Sequence, residues 1–291
     1  MLTVDELVDR LIDLSFAEDI GDGDHTTLCC IPENAMGKSL LLIKEDGILA
    51  GVEVAKEVFR RFDPQLKVKV MKGDGAQVKK GDIVMEVSGR VQSLLQTERL
   101  MLNIMQRMSG IATTTHRYVE RLKGTGTRVL DTRKTTPGMR MLEKQAVKIG
   151  GGTNHRIGLF DMILLKDNHI DFAGGIDNAI DRCHEYLQKK GLELKIEIEV
   201  RSFDELQQVL RHGGVDRIML DNFSVEDTRK AVELIDHRYE TESSGGITFD
   251  TIRNYAEQGV DFISVGALTH SVKGLDMSFK ADHSSKLKIE E

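Results

Sequence analysis

The order of apolar and polar residues divides the chain into two parts. Up to about residue 108, helices and strands follow one another without a fixed rhythm, which predicts an α+β layer. Thr3 and Glu6 form a capping-box pattern at the start of the first helix. The helices are predicted over 3–18, 52–62 and 92–123, with Gly110 as a candidate break, and the strands over 38–44, 47–50, 66–71 and 83–87.

The second part of the chain has a regular alternation of strand and helix candidates. Strands are predicted at 128–131, 162–165, 195–200, 217–220, 238–242 and 262–265, and helices at 137–149, 174–190, 203–213, 225–236 and 248–258. Such alternation is typical of parallel strands joined by crossover helices. We therefore expect an α/β barrel from Ser109 to about Thr269, with an incomplete barrel as an open alternative.

Positive charge is concentrated in one stretch, residues 128–166, within a chain of formal net charge −7. Four of its cations, Arg133, Lys134, Arg156 and Lys166, fall at predicted strand ends or in loops, where α/β proteins place their sites. Three others, Arg140, Lys144 and Lys148, are spaced by four and are interpreted as solvating one face of a helix. The cluster favours a small anionic ligand.

Composition narrows the class of partner and the location. A pI of about 5.8 argues against a general nucleic-acid binder, which needs an extended basic surface. No apolar run approaches the roughly 20 residues that span a bilayer, and residue 1 begins an acidic amphipathic segment, so a cytoplasmic protein is expected. The three cysteines, including Cys29 and Cys30, are interpreted as small buried hydrophobes.

The residues at the predicted strand ends indicate a chemistry. These residues are Glu199, Asp221 with Asn222, the run Ser244, Gly245 and Gly246, and the pair Gly266 and Ala267. Backbone N–H groups of glycine-rich turns suit a phosphate, and carboxylates can hold a divalent metal or ribose hydroxyls, although either acid alone could be a structural ion-pair partner. No covalent nucleophile and no organic cofactor are indicated. The set suits a sugar-pyrophosphate transferase, because cations stabilise the charge on a departing pyrophosphate.

Four long motifs resemble one family. DTRKTTPGMRMLEKQAV, GGGTNHRIGLFDMILLKDNHI, ESSGGI and VGALTHS occur in the order found in quinolinate phosphoribosyltransferases, and the resemblance extends over nearly the whole chain. It implies transfer of phosphoribose from phosphoribosyl pyrophosphate to quinolinate with Mg²⁺, giving nicotinate mononucleotide, pyrophosphate and CO₂. It also implies an N-terminal sandwich domain, residues 1–108 joined by the tail 270–291, followed by an open α/β barrel over 109–269.

The resemblance also implies roles for individual residues. Quinolinate would be surrounded by Arg133, Thr135, His155, Arg156 and Lys166. Arg99 would reach this site from the other subunit of a homodimer, and an oligomer larger than a dimer is an alternative. Lys134 and Lys166 would contact the phosphoribosyl donor, Glu199 and Asp221 would bind its ribose or Mg²⁺, and these four are the catalytic candidates. Ser244, Gly245, Gly246, Gly266 and Ala267 would hold the 5′-phosphate.

Several alternatives stay open at this point. A relative with the same fold could act on another anionic acceptor, and a non-catalytic protein could use the fold to sense phosphorylated metabolites. The acids Glu199 and Asp221 argue against a pure anion sensor, which gains nothing from carboxylates in its pocket. His155 could be a buried structural histidine that positions Arg156, and the division of Lys166 between the two substrates is also open.

Overall fold

The computed structural model describes residues 3–282 and 288–289, and the chain divides into two compact units. The first unit comprises Met1–His116, Thr135–Gly151 and Leu268–Glu291. The second comprises Arg117–Lys134 and Gly152–Ala267. The domain limits expected from periodicity, at residues 108 and 269, stay a prediction.

The helices agree with most of the predicted positions, and three short helices that were not predicted are added over His25–Cys30, Asp167–Ala173 and Ala267–His270. In chain order the helices are α1 (Val4–Ile20), α2 (His25–Cys30), α3 (Val52–Phe62), α4 (Val91–Arg121), α5 (Arg140–Ile149), α6 (Asp167–Ala173), α7 (Ile176–Lys190), α8 (Phe203–His212), α9 (Val225–Ile235), α10 (Ile252–Ala256) and α11 (Ala267–His270). The capping box at the start of α1 is present, because Thr3 N donates to Glu6 Oε2 at 2.7 Å and Glu6 N donates to Thr3 Oγ1 at 3.2 Å.

The described strands form two antiparallel sheets in the first unit and one parallel sheet in the second. In chain order they are β1 (Ala35–Ile43), β2 (Gly47–Ile48), β3 (Lys67–Val70), β4 (Gln77–Val78), β5 (Ile83–Arg90), β6 (Arg128–Leu130), β7 (Ile163–Leu165), β8 (Ile196–Val200), β9 (Arg217–Asp221), β10 (Glu240–Ser244), β11 (Phe262–Ser264), β12 (Met277–Ala281) and β13 (Lys288–Ile289).

The first unit is built on an antiparallel sheet with the strand order β12-β1-β5-β3. The strands β12 and β13, which are the last two in the sequence, both pair with β1, so N-terminal and C-terminal segments form one sheet. The strands β2 and β4 form a separate antiparallel pair. The predicted tail contact with the N-terminal part is therefore present in the described residues.

The long helix α4 runs without a break through Gly110, contrary to the predicted interruption. The glycine has a packing reason instead, since a Cβ at this position would collide with the carbonyl oxygen of Lys273. Close approach of two backbone segments is a common use of glycine inside an element. Met105 and Met108 of this helix are fully buried, whereas Leu95 is 41% exposed.

Two predictions about single side chains are wrong. Lys144, expected on a solvated helix face, is only 1% exposed, because the buried surface of α5 extends beyond Leu142 and Ala146 to Glu143, Lys144 and Val147. Cys29 and Cys30, expected to be buried, are both exposed. They lie in α2, a short helix whose N-cap, Asp24, accepts a hydrogen bond from Thr27 N.

The second unit contains a parallel sheet of six strands with the order β6-β11-β10-β9-β8-β7. The predicted alternation of parallel strands and helices is confirmed. Among the described residues the pairing does not close, since β6 and β7 form the two ends of this order. The curvature of a barrel and the sandwich form of the first unit stay predictions.

The two faces of this sheet differ in chemistry, because side chains alternate along each strand. On one face Ile196, Ile198, Val200, Ile218 and Leu220 pack with apolar residues of α7, α8 and α9. The opposite face carries the charged residues of the same strands, described below. None of the helices in the described part of the chain combines the length and apolar character needed to span a bilayer.

Candidate active site

The residues predicted at strand ends lie along one edge of the parallel sheet in the second unit. Glu199 lies near the end of β8, Asp221 ends β9 and Ser244 ends β10, while Lys166 directly follows β7 and Gly266 lies shortly after β11. Parallel strands have their carboxyl ends at the same edge, which is where such sheets bind ligands. The structure therefore brings these predicted residues to a common edge.

Lys166 and Glu199 are paired on neighbouring strands. Lys166 Nζ lies 3.1 Å from Glu199 Oε2, and the glutamate side chain is 8% exposed. Lys166 is also the N-cap of α6, and its backbone N–H donates to His169 Nδ1 at 3.1 Å. This helix was not predicted because Asp167, Asn168 and His169 resemble a polar loop.

Arg156 is the most buried cation of the predicted set, at 8% exposure. Its Nη1 donates to the carbonyl of Met162 at 3.2 Å. Burial, followed by the positive charge of Arg133, lowers the pKa of Arg156 below its ordinary value. Two guanidinium groups that act on each other in a partly buried place favour an anion between them, since a carboxylate would relieve both effects.

The loop after Arg156 has a local reason for its shape. The backbone N–H groups of Ile157 and Gly158 donate to the two carboxylate oxygens of Asp161, at 2.8 and 2.9 Å. An aspartate that accepts from nearby backbone N–H groups stabilises a turn. The turn leads directly into β7, so it places Arg156 and Lys166 on consecutive segments.

The glycine-rich turn after β10 is packed against the end of β9. Asn222 N donates to Ser244 O at 2.9 Å, and Asn222 Nδ2 donates to Asp221 Oδ2 at 2.7 Å. Gly245 has φ +94°, and a Cβ there would collide with the Asn222 side chain. Only glycine fits this close approach without strain, so its role exceeds that of an ordinary turn residue.

A buried charged layer lies directly beneath these residues and was missed by the sequence analysis. Glu197 and Glu242 each precede a site residue, Glu199 and Ser244, by two positions, so they lie on the same face one step further into the sheet. Both are 0% exposed. The alternation of glutamates in the strand sequence KIEIEV was the signal that could have revealed this layer.

His155 contacts both glutamates. Its Nε2 lies 3.0 Å from Glu197 Oε2 and 3.5 Å from Glu242 Oε2. Its Nδ1 accepts a hydrogen bond from Arg156 N at 2.7 Å, and its own backbone N–H donates to Asp131 Oδ1 at 2.9 Å. Because Nδ1 is an acceptor, the ring proton of a neutral His155 is on Nε2, facing the glutamates.

The pKa values of both glutamates in this layer are raised above the ordinary value of a glutamate. Burial, then the negative charge of Glu197, raises the pKa of Glu242 to about 8. Burial also raises the pKa of Glu197 to about 6, although Arg217 acts in the opposite direction. The Arg217 guanidinium lies 3.1 Å from Glu242 Oε2 and stacks 4.1 Å from the centroid of the Phe262 ring.

The ligand atoms of His155, Glu197 and Glu242 lie within 4.8 Å of one another, a spacing that a metal ion could bridge. The hydrogen bonding argues otherwise. A metal bound to Nε2 would move the ring proton to Nδ1, where it would face the Arg156 N–H. Since Arg217 already supplies a cation to Glu242, we interpret this group as a buried layer of ionisable side chains and not as a metal site.

Two predicted site residues belong to the first unit. Arg99 is exposed on α4. Thr135 accepts a hydrogen bond at its Oγ1 from Arg140 Nε at 3.0 Å, so Arg140 supports this loop and does not simply solvate its helix. The next residue, Thr136, donates its backbone N–H to Glu143 Oε2 at 3.2 Å, which anchors the loop to the buried part of α5.

Known proteins are similar to this chain over most of its length. The models of the quinolinate phosphoribosyl transferase N-terminal and C-terminal domains match residues 24–109 and 111–280. A chloroplastic nicotinate-nucleotide pyrophosphorylase [carboxylating] from Arabidopsis thaliana is 46% identical, over 96% of this chain and 84% of that protein. A probable enzyme of the same name from Bacillus subtilis is 41% identical, over 92% and 91% of the two chains.

Solved structures give the same result. The crystal structure of NadC from Streptococcus pyogenes matches with a TM-score of 0.90 and 39% identity, covering 100% of this chain and 99% of that one. The nicotinate-nucleotide pyrophosphorylase structure from Francisella tularensis matches with a TM-score of 0.90 and 39% identity, covering 97% and 98%. With both domain models matched over most of its length, the chain belongs to the quinolinate phosphoribosyl transferase family.

Proposed function

We propose that this protein is a pentosyltransferase that joins quinolinate to phosphoribosyl pyrophosphate, with loss of CO₂, in the synthesis of NAD. The observation that carries the proposal is the buried Arg156, whose pKa is lowered by burial and by the charge of Arg133. A buried guanidinium beside a second positive charge favours an anionic ligand, and two arginines suit a substrate with two carboxylates. Relatives that bear the names of this activity match nearly the whole chain.

Quinolinate would be held by the residues around this pair. Arg133 and Arg156 would each take a carboxylate in bidentate fashion, which the planar guanidinium group favours. Lys166, exposed at its tip, would take part on the same side, and His155 would contact the acceptor or orient Arg156. Thr135, supported by Arg140, would complete the acceptor site.

The phosphoribosyl donor would lie along the strand ends. The backbone N–H groups of the Ser244–Gly246 turn and of Gly266 and Ala267 would bind the 5′-phosphate. Lys134 and Lys166 would stabilise the departing pyrophosphate. Glu199 and Asp221 would contact the ribose hydroxyls.

The same two carboxylates suit a divalent cation. Mg²⁺ prefers oxygen ligands, and Glu199 and Asp221 supply carboxylate oxygens from adjacent strands on one face of the sheet. When bound there, Mg²⁺ would neutralise charge on the pyrophosphate. Glu199 already accepts a contact from the Lys166 ammonium group, so this position favours cations.

The reaction follows from these placements. The C1–O bond to pyrophosphate breaks, the ribose carbon becomes oxocarbenium-like beside Glu199 and Asp221, and the pyridine nitrogen forms the new C–N bond. The pyridinium then accepts the electron pair released when the adjacent carboxylate leaves as CO₂, and a proton replaces that carboxylate on the ring. Lys134, Lys166 and the arginines hold both substrates in line for attack.

We also infer the finer architecture from the family. The six-stranded parallel sheet would curve into an incomplete barrel, and the antiparallel sheet of the first unit would form half of a sandwich. A homodimer would supply Arg99 of one subunit to the acceptor site of its partner, which gives an exposed arginine on a packing helix a role.

The choice of acceptor is the sharpest test. Purified protein is incubated with phosphoribosyl pyrophosphate, Mg²⁺ and either quinolinate or nicotinate, and nicotinate mononucleotide is measured. We expect product from quinolinate and little from nicotinate. Nicotinate has a single carboxylate, so one of the two arginines would have no substrate carboxylate to bind. Equal rates would favour a fold relative with another acceptor, and binding without turnover of either would favour an anion sensor.

A further inference from the structure

The second layer of the sheet interior contains ionisable groups that the proposed reaction does not use. Glu197, Glu242 and Arg217 are too deep to be assigned to either substrate, yet they are linked through short contacts to His155. Burial of two carboxyl groups and a guanidinium is costly unless each group has a partner in a defined place. The layer therefore calls for a functional explanation.

The contacts form a chain that ends at the proposed acceptor site. The Arg217 guanidinium is anchored to Glu240 at 3.0 Å and on the face of Phe262, and it contacts Glu242 at 3.1 Å. Glu242 and Glu197 both face His155 Nε2, at 3.5 and 3.0 Å. On the other side of the ring, His155 Nδ1 accepts from Arg156 N.

We propose that Glu242 is a positioning residue, which together with Arg217 and Glu197 holds His155 in its Nε2-protonated form and thereby fixes the segment that presents Arg156 to the acceptor. This inference rests on the proposed function for the identity of the acceptor. It assigns the layer to orientation of the acceptor site, with no contact to substrate by Glu242 itself.

The geometry explains why the arrangement holds only one ring orientation. A ring flip would direct carbon atoms of His155 at the two glutamates and at the Arg156 N–H, so the hydrogen bond from Arg156 N and the close approach of Nε2 to the two glutamates would be lost. The backbone of His155 is held independently by Asp131, so the main chain and the ring are fixed by different partners. The contacts of Glu197 and Glu242 with His155 are made to its imidazole ring.

The first measurement needs no variant and no turnover. In protein labelled with ¹⁵N-histidine, the ring nitrogens of His155, assigned with a His155→Gln variant, should show a protonated Nε2 and an unprotonated Nδ1 at pH 7. A ring protonated on Nδ1, or on both nitrogens, overturns the proposal. Because no substrate is present, this result is independent of whether the chain acts on quinolinate.

The second measurement compares two leucine substitutions of similar shape. Glu242→Leu should raise the KM for quinolinate about tenfold, leave the KM for phosphoribosyl pyrophosphate within about twofold, and change the His155 tautomer signals. Glu233→Leu, which changes a glutamate on the exposed face of α9, is the control and should change none of these quantities. Glu242→Gln, which keeps the side-chain shape and hydrogen-bonding groups, should restore the KM to within about threefold of the original value.

The outcomes separate the hypotheses. Equal increases in both KM values, or unaltered His155 signals in folded Glu242→Leu, would contradict a positioning role. If Glu242→Leu does not fold, the ¹⁵N signals of the unchanged protein still show whether His155 is protonated on Nε2, and they alone test the proposal. Absence of any turnover with quinolinate, together with the expected tautomer, would reject the proposed function and leave the orientation of His155 standing.

Discussion

Lys166 Nζ lies 3.1 Å from Glu199 Oε2, so the residue that follows β7 is paired with a carboxylate on the neighbouring strand β8. The glutamate is almost buried, while 47% of the lysine side chain is exposed. The contact holds the ammonium group at the common edge of the strands, where both substrates are proposed to bind. One cation is thus held in place by a carboxylate that we propose to belong to the donor site.

Removal of this ammonium group should therefore impair both substrates. Lys166→Ala is expected to raise both KM values about tenfold or more, because the departing pyrophosphate and the acceptor lose a common cation and Glu199 loses its partner. Steady-state kinetics with each substrate varied in turn gives the values. Lys195→Ala removes an exposed lysine, 3.5 Å from Glu240 before the start of β8, and should leave both unchanged.

The planar shape of the arginines should matter beyond their charge. We expect Arg133→Lys and Arg156→Lys each to weaken quinolinate binding about tenfold, because lysine cannot pair with a carboxylate in bidentate fashion. Calorimetric titration with quinolinate measures the affinity. Arg229→Lys, on an exposed helix face, serves as the control. Unchanged affinity in both site variants would contradict the assignment of the two arginines.

Residues at strand ends were predictable from the sequence because the period of a strand and the edge of a parallel sheet are local and general properties. Glu199 and Asp221 were found in this way. Glu197 was not singled out, since from the sequence alone a glutamate within an apolar strand cannot be matched with partners such as His155 and Glu242, which are distant along the chain. The burial of Lys144 was missed for the same reason, because helical spacing alone does not reveal which face is covered.

Subunit mixing tests the shared site. Arg99→Ala and Lys134→Ala proteins should each be nearly inactive, but a hybrid dimer would contain one site with both residues intact. Random exchange at equal amounts should restore up to about a quarter of the original activity, since half of the dimers are hybrids with one intact site of two. Each variant mixed with itself is the control. No recovery, with exchange demonstrated by a mass tag, would contradict a site shared between subunits.

The buried Asp63 should make stability depend on acid pH. Burial acts to raise the pKa of Asp63, but hydrogen bonds from Ser93, Gln65 and Arg90 outweigh it, and the pKa lies below its ordinary value. A carboxyl group with a lowered folded-state pKa stabilises the fold fully above its unfolded pKa of about 3.9, and this contribution is lost as the pH falls through the folded value.

Asp63→Asn should therefore lower the free energy of unfolding by about 1–3 kcal/mol at pH 7. The difference from the unchanged protein should shrink as the pH falls below about 4. Urea unfolding followed by circular dichroism at a series of pH values measures both. Asp22→Asn alters a 94% exposed carboxylate and should have little effect at any pH. A difference that stays constant down to pH 3 would contradict this account.

The most direct test of the proposed activity is the balance of products from quinolinate labelled with ¹³C in the carboxylate next to the ring nitrogen. With phosphoribosyl pyrophosphate and Mg²⁺, we predict that labelled CO₂, pyrophosphate and unlabelled nicotinate mononucleotide form in equal amounts, and that no product forms when the donor is omitted. Retention of the label in the nucleotide, or release of pyrophosphate without a nucleotide, would contradict transfer coupled to decarboxylation.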